Sequence, residues 1–386
     1  MNKIYFVMII LFFSVFLIGC HNNKKQIVES VSNVTTIIIP EALYADDVSI
    51  IEDQSHIILE SKEDAFWGGV SKMRVYKNRI IVLDAIHAQA IFIYTKEGKH
   101  IVTIGANKGR GPLEFISVSN FEIDYANDQL LVMDNWGFKF MIYDLDGRFI
   151  KRVESKIGVT NAVLLPNGYI MHAKSSSDHK IPGQGISSII IVDDHNRIVK
   201  KGFEYDDNEG LAYRIYDIIR SQFNIGFTFA PQFRDTIYSV SYDSISPKYA
   251  LDFRNYSAIS KRQIGGMTSN AELNTLFNEG KTCFMGTHVE SDEILFVTIG
   301  GFRNPTYVFY NKVTGSTIAI FRIVEPRIVP YTYELYKILC SDEEGYFYGA
   351  FNQTQLREIS QLFPELQAID PVSELNPIVF RYKIKI

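Results

Sequence analysis

The sequence predicts an all-β chain: a six-bladed β-propeller of four-stranded antiparallel blades, with seven blades as the alternative. Three observations lead there. Arg79–Ile104 and Gln129–Val153 repeat one pattern, offset by 50 residues at the first strand and 49 at the following turn. A multi-strand repeat of about 40–50 residues is the spacing of a propeller blade. With 22 Tyr, 27 Phe and many Ile and Val, the composition favours strands. Short apolar runs are separated throughout by Gly-containing turns, among them Lys96-Glu97-Gly98-Lys99, Leu145-Asp146-Gly147-Arg148 and Pro166-Asn167-Gly168. Glycine supplies the positive φ of tight hairpins, and such turns between short strands mean antiparallel structure.

The chain begins with a segment that is not part of the fold. Ile4–Ile18 is apolar except for Tyr5 and Ser14, follows a charged start, and is too short for a comfortable membrane span. It reads as a secretory leader, residues 1–19. Leu17-Ile18-Gly19-Cys20 resembles a lipobox, which makes Cys20 the expected lipidation site and the lipid on it the expected membrane attachment. Residues 20–35 then read as the lipidated cysteine and a polar tether, and 36–386 as the propeller. No acidic run follows Cys20, which favours an outer-membrane lipoprotein facing the periplasm over a surface-exposed one.

Beyond the two clear repeats, weaker units follow in order. Tyr169–Ala173, Ile189–Val192 and Ile198–Lys201 form a third. Phe227–Phe229, Thr236–Val240 and Tyr249–Phe253 form a fourth. Thr282–Met285, Ile294–Ile299, Tyr307–Tyr310 and Ile318–Phe321 form a fifth, and Ile338–Cys340, Tyr346–Phe351 and Ile378–Ile386 a sixth. A seventh blade requires Thr36–Leu59 to supply more than one closing strand. Asn208–Ser221 and Ser260–Asn278 read as helical or loop-like insertions, and Pro364–Glu374 as a loop. Thr36–Ile39 and Ile378–Ile386 are the expected pair that joins the two chain ends in one blade.

Composition and motif content exclude several function classes. The formal net charge is −5 with no polybasic block, so no nucleic-acid partner is expected. Cys283 and Cys340 read as buried small residues ahead of a disulfide, and two cysteines are too few for a disulfide scaffold. There is no HExxH and no paired-Cys spacing, so no metal and no cofactor are expected. A ring could gather His87, His172 and His288 near its axis, but scattered structural histidines are the plainer reading. Asp144-Leu145-Asp146-Gly147 starts like a calcium loop yet lacks the later oxygen ligands, so a hairpin turn is expected. No Gly-x-Ser-x-Gly elbow or phosphate loop is present.

Gly105 to Phe115, with Asp134 and Tyr143 to Gly147, resembles the NHL-repeat pattern of a Gly-rich turn, an acidic residue, Phe and a strand ending in Asp. More closely, residues 36–386 resemble the six-bladed β-propeller lipoproteins of Gram-negative bacteria. Those proteins carry Gly-Lys-Gly-Pro-Gly-Glu at this point and an Asp-Thr-Ile-Tyr strand, matched here by Asp235-Thr236-Ile237-Tyr238. Leu113 stands where that motif has Gly. The resemblance implies the fold and leaves the function open, because fold does not fix function.

In a blade whose strands A to D run outward from the axis, the B–C and D–A loops emerge on one face. That geometry collects Asp84 and His87, Arg110 and Glu114, and Asp134, Trp136 and Lys139. Charges of both signs around an indole suit a protein partner or a polar ligand such as a glycan. Asp84 and Asp134 also have a plainer role, accepting hydrogen bonds from loop amides, and the glycines around Arg110 one of turning the chain between blades. Trp67-Gly68-Gly69 reads as packing rather than contact. The expected function is a non-enzymatic binding or scaffolding module at the cell envelope. The alternatives are a glycan lyase or hydrolase with its site in the central funnel, and a glycan-binding accessory protein for nutrient uptake.

Overall fold

Each blade is built from strands that must bury both faces, and the sequence of its middle strands shows why. In Arg79–Asp84, Ile80 and Val82 join the core shared with the blade before it, while Ile81 and Leu83 join the core shared with the blade after it. Alternate side chains point to opposite faces of a strand, so a blade between two neighbours needs an unbroken apolar run rather than an alternating one. Leu130–Met133 repeats this, with Leu130 and Val132 on one side and Leu131 and Met133 on the other.

The computed structural model describes residues 25–29, 33–44, 50–62, 65–156, 161–173, 187–204, 218–300, 305–321, 338–351 and 377–386. Six sheets follow one another along the chain and form a six-bladed β-propeller. Blade 1 is Lys72–Tyr76, Arg79–Asp84, Ala90–Thr95 and His100–Ile104. Blade 2 is Val118–Asp124, Gln129–Asp134, Lys139–Asp144 and Phe149–Glu154. Blade 3 is Ala162–Leu164, Ile170–Ala173, Ser187–Val192 and Ile198–Glu204. Blade 4 is Ile218–Gln222, Gly226–Ala230, Thr236–Val240 and Ser244–Asp252. Blade 5 is Phe284–Glu290, Ile294–Gly300, Pro305–Asn311 and Thr317–Phe321. Blade 6 takes Cys340–Ser341, Phe347–Phe351 and Ile378–Ile384 from the end of the chain and Ile51–Ile57 from its beginning. One apolar core fills each of the six gaps between neighbouring blades.

The change of repeat offset from 50 to 49 has a local cause. Asp84 pairs with Ala90 across five loop residues, whereas Asp134 pairs with Lys139 across four. At the opposite ends of the strands, an aspartate recurs at the hairpins. The Oδ1 atom of Asp144 accepts from the amides of Asp146 (2.9 Å) and Arg148 (2.8 Å). Asp193 does the same for His195 and Arg197, and Asp342 for Glu344 and Tyr346. Asp144-Leu145-Asp146-Gly147 is thus a hairpin, its first carboxylate committed to backbone amides, as Asx turns require.

Three sequence expectations are corrected. Thr36–Ile39 does not close the ring. Thr35–Ile38 instead lies parallel to the outer strand of blade 4, and Ile51–Ile57 pairs with Ile378–Ile384. The closing strand is mostly exposed, so it lacks the apolar signature that marks inner strands. Ile218–Ser221, expected within an insertion, belongs to the innermost strand of blade 4; residues 208–217 lie outside the described residues. Thr36–Leu59 builds no seventh blade but serves existing ones. Lys25–Gln26 runs along blade 3, Val28–Glu29 and Thr35–Ile38 along blade 4, and Leu43–Tyr44 along blade 5, all parallel to the outer strands. Part of the segment expected as tether therefore lies on the ring.

Other expectations hold. Two helices, Lys261–Gly266 and Asn270–Asn278, occupy the insertion between blades 4 and 5. Ser260 and Gln263 form a reciprocal capping box at the first of them. Cys283 and Cys340 are separate buried thiols, and burial pushes each up to about 12. Cys20 and the segment expected as a leader, like Pro364–Glu374, lie outside the described residues, so the fold leaves those expectations open.

The parallel strap makes a sharp prediction. Ile37 is 1% exposed in the gap between blades 4 and 5, while its neighbour Ile38 is 45% exposed. Ile37→Ala should cost about 2–4 kcal/mol in urea unfolding, and Ile38→Ala less than about 0.5 kcal/mol.

Candidate functional site

The loop face over blades 1 and 2 is held by buried acids at the ends of strands. Asp84 ends its strand fully buried. Its carboxylate accepts from the amides of His87 (2.8 Å) and Ile86 (3.0 Å) in its own B–C loop and of Gly68 (2.9 Å) in the preceding D–A loop. Burial acts to raise its pKa, but these amide donors, with Ala88, outweigh it and hold the carboxyl below its usual range. Asp134 repeats the arrangement, accepting from Gly137 (2.8 Å) in its own loop and from Ile116 (2.9 Å) and Ser117 (3.2 Å) in the preceding one. One side chain type at one strand position therefore fixes two loops in each repeat.

The Gly-rich D–A loop folds around its own acid. The Oε2 atom of Glu114 accepts from the Gly111 amide at 2.7 Å. A Cβ on Gly109 would come within 2.0 Å of that oxygen, and one on Gly111 within 2.9 Å, so both glycines leave room for the carboxylate. Phe115, 1% exposed, plugs the core between blades 1 and 2, and its carbonyl accepts from the Gly109 amide. Lys139 donates to the Glu114 carbonyl and lies 3.8 Å from Asp134. Lys108 donates to the Gln89 carbonyl. The four loops are in this way joined in series from blade 1 to blade 2.

Of the expected contact residues, Asp84, Asp134, Glu114 and Lys139 are thus committed to architecture. His87, Arg110 and Trp136 sit on the same pinned loops with exposed side chains, Trp136 at 69%. Phe66, Ile86, Leu113 and Phe138 join them, each at least half exposed. Phe138 is held at φ +49°, with its carbonyl accepting from the Ser155 amide at 2.7 Å. Trp67 packs inside, its indole donating to the Tyr94 hydroxyl at 2.9 Å.

The three histidines are not gathered. His87 is on the exposed loop, and His172 packs edge-on to Phe140. His288 is fully buried between the Thr228 hydroxyl (2.8 Å) and the Gly286 carbonyl (3.0 Å), and burial lowers its pKa to about 3. Among the described residues, no group of three or more His, Cys, Asp or Glu is placed to hold a metal.

A second polar assembly, missed from the sequence, lines the axis. Lys72 and Arg74 of blade 1 converge on Glu122 of blade 2. Lys72 Nζ donates to Asn120 Oδ1 (2.9 Å) and to Glu122, and Arg74 Nη2 donates to both Glu122 oxygens (3.0 and 3.3 Å). Burial lowers the Lys72 pKa to about 7 against the opposing pull of Glu122. Arg220 of blade 4 faces the same group. Nearby, Glu290 of blade 5 accepts from Lys248 (2.9 Å), Lys312 (3.0 Å) and the Tyr249 hydroxyl (2.7 Å), bracing blades 4 and 5. The signal was present as a period-two polar pattern on four innermost strands: Lys72-x-Arg74, Asn120-x-Glu122, Arg220-x-Gln222 and His288-x-Glu290.

Six four-stranded blades, closed by a strand from the beginning of the chain and carrying a pinned loop face, define a six-bladed β-propeller. The chain belongs to the family described as Domain of unknown function (DUF4934), whose profile matches residues 34–383. It is similar to the crystal structure of a Bacteroides fragilis protein whose name marks it as exported, with a TM-score of 0.70 and 18% identity over 92% of this chain and 100% of that one. It is also similar to a member of the DUF4221 family from Bacteroides vulgatus, with a TM-score of 0.54 and 12% identity over 87% of this chain and 98% of that one. At these identities the likeness shows the fold. No curated protein gives a significant sequence match. Among the described residues, no helix is long and apolar enough to cross a membrane.

Two outcomes test the division between architectural and exposed residues. Asp134→Ala leaves buried amides unsatisfied and should cost at least about 2 kcal/mol, whereas Trp136→Ala should leave the urea midpoint nearly unchanged. His288 binds a proton near pH 6.5 when unfolded but only near pH 3 when folded. The unfolded state therefore takes up the proton first, and stability falls as pH drops through that window. In denaturant titrations, His288→Asn should remove up to about 1.4 kcal/mol per pH unit from that slope.

Proposed function

We propose that this chain is an envelope lipoprotein, anchored through lipid on Cys20, whose propeller is a non-enzymatic binding module for a protein partner. The observation that carries the reading is the cluster of exposed large apolar side chains, Phe66, Ile86, Leu113, Trp136 and Phe138, on loops whose backbones are fixed from below. Water-exposed aromatic and aliphatic groups on a rigid support bind with little ordering cost, and Trp is enriched among residues that dominate interface energies. Arg110 and His87 on the same loops give the patch a polar rim. The buried acids beneath it are saturated by amide donors, which supports binding rather than proton transfer.

The strap supports the placement. The chain reaches the ring at Lys25, beside Lys200 on the outer rim of blade 3. Four residues lie between Cys20 and Lys25, a reach of at most about 18 Å. An anchor there would hold the domain close to the bilayer by its rim and leave the loop face open to the periplasm. A glycan ligand is the second reading, favoured by Trp136 and Phe138 sharing that face with Arg110.

Photo-crosslinking in the membrane tests this. A benzoylphenylalanine at position 136 should give a discrete protein adduct, and one at Val313, an exposed residue on a hairpin of blade 5, should give none. Trp136→Ala with Phe138→Ala should weaken binding of the captured partner at least about 30-fold without lowering stability. Adducts from position 313 alone would overturn the assignment of this face. Binding of glycans to the soluble domain with no adduct at either position would favour the second reading.

A further inference from the structure

We propose that the axis of the propeller is an anion site, holding one halide-sized ion between the guanidinium groups of Arg74 and Arg220. Three cations on innermost strands, Lys72, Arg74 and Arg220, face a single carboxylate, Glu122. That carboxylate is already occupied by both cations of blade 1. Arg74 uses its remaining Nη1 on the Met73 carbonyl at 2.9 Å. Arg220 is half-buried, and its Nε is sealed from solvent with no hydrogen-bond acceptor among the described residues. Sealing one N–H of a cation from water without an acceptor is costly, and an anion beside it would both accept that bond and offset the charge.

A cavity of about 20 Å³ adjoins both guanidinium groups, with the Tyr125 ring and Cys340 on its wall. This volume accommodates one water-sized species, which suits chloride and excludes phosphate or sulfate. The acids near the cavity do not supply the missing charge. Glu290 is neutralised by Lys248 and Lys312, and Asp342 by Lys96 at 3.3 Å and the Tyr348 hydroxyl at 2.7 Å. Asp292 and Glu343 are exposed, where water screens them. An ion here would tie blade 1 to blade 4 across the ring, where the inner strand of blade 3 is only three residues long.

The test uses crystals of the protein grown in sodium bromide, together with thermal unfolding of the native chain. Bromide should give an anomalous peak in the axial cavity within about 3.5 Å of Arg220 Nε. The unfolding midpoint should rise saturably with chloride and not with sulfate at matched ionic strength. Arg220→Gln should raise the half-saturating chloride concentration at least tenfold. Bromide found only on surface residues, or a midpoint that follows ionic strength whatever the anion, would overturn the proposal. The native-chain measurements decide the matter even if the variant does not fold.

Discussion

The pairing of Ile51–Ile57 with Ile378–Ile384 is the constraint on which the rest of the molecule depends. The four blade strands of each of blades 1 to 5 follow one another in sequence, joined largely by local hairpins. Blade 6 alone joins residues more than three hundred positions apart, and until it forms, the apolar flanks of blades 1 and 6 have no partner. Closing so long a loop costs chain entropy that no local contact offsets. The parallel strap lessens the problem, because it lays the beginning of the chain along blades 3, 4 and 5 before delivering it to blade 6. It also covers outer strand edges that would otherwise be open to another chain.

A ring closed in this way turns loops into fixed features. Asp84 and Asp134 are the clearest case: each lies fully buried at the end of its strand and reaches two loops at once. The acids that look most chemical in the sequence are thereby the least available for chemistry. The residues left over, Trp136, Arg110 and His87 with their apolar neighbours, owe their fixed placement to acids that never meet the solvent. A substitution in the buried set would weaken binding by releasing a loop, although the replaced side chain never touches the partner.

The middle strands were legible because both of their faces are buried. Ile80–Leu83 and Leu130–Met133 could be aligned by eye, and their Asp ends and Gly turns fell at matching positions. The closing strand of blade 6 and the inner strand of blade 4 were not. Ile51–Ile57 reads Ile-Glu-Asp-Gln-Ser-His-Ile, a solvated edge with no apolar period, so the more hydrophobic Thr36–Ile39 was the natural choice for closure. At the axis, Ile218–Gln222 carries Arg220, and its first four residues read as the end of a helical or loop-like insertion, Asn208–Ser221. A charge in the middle of a strand points to solvent in most folds, whereas in a propeller it can point to the axis. The candidate site was legible as a set of loops, since blade topology puts Asp84, Arg110 and Trp136 on one face. Which side chains were sealed and which exposed depended on amide geometry that the sequence does not display.

The loop face and the axial charges both presuppose that the closing strand is a permanent part of the ring. Peptide-resolved hydrogen exchange on the native protein tests that most directly. Amides of residues 51–57 should exchange as slowly as those of residues 378–384, and both should open together at the free energy of global unfolding. Fast exchange across 51–57 while 378–384 stays protected would contradict closure by this strand and mean that the ring is sealed some other way.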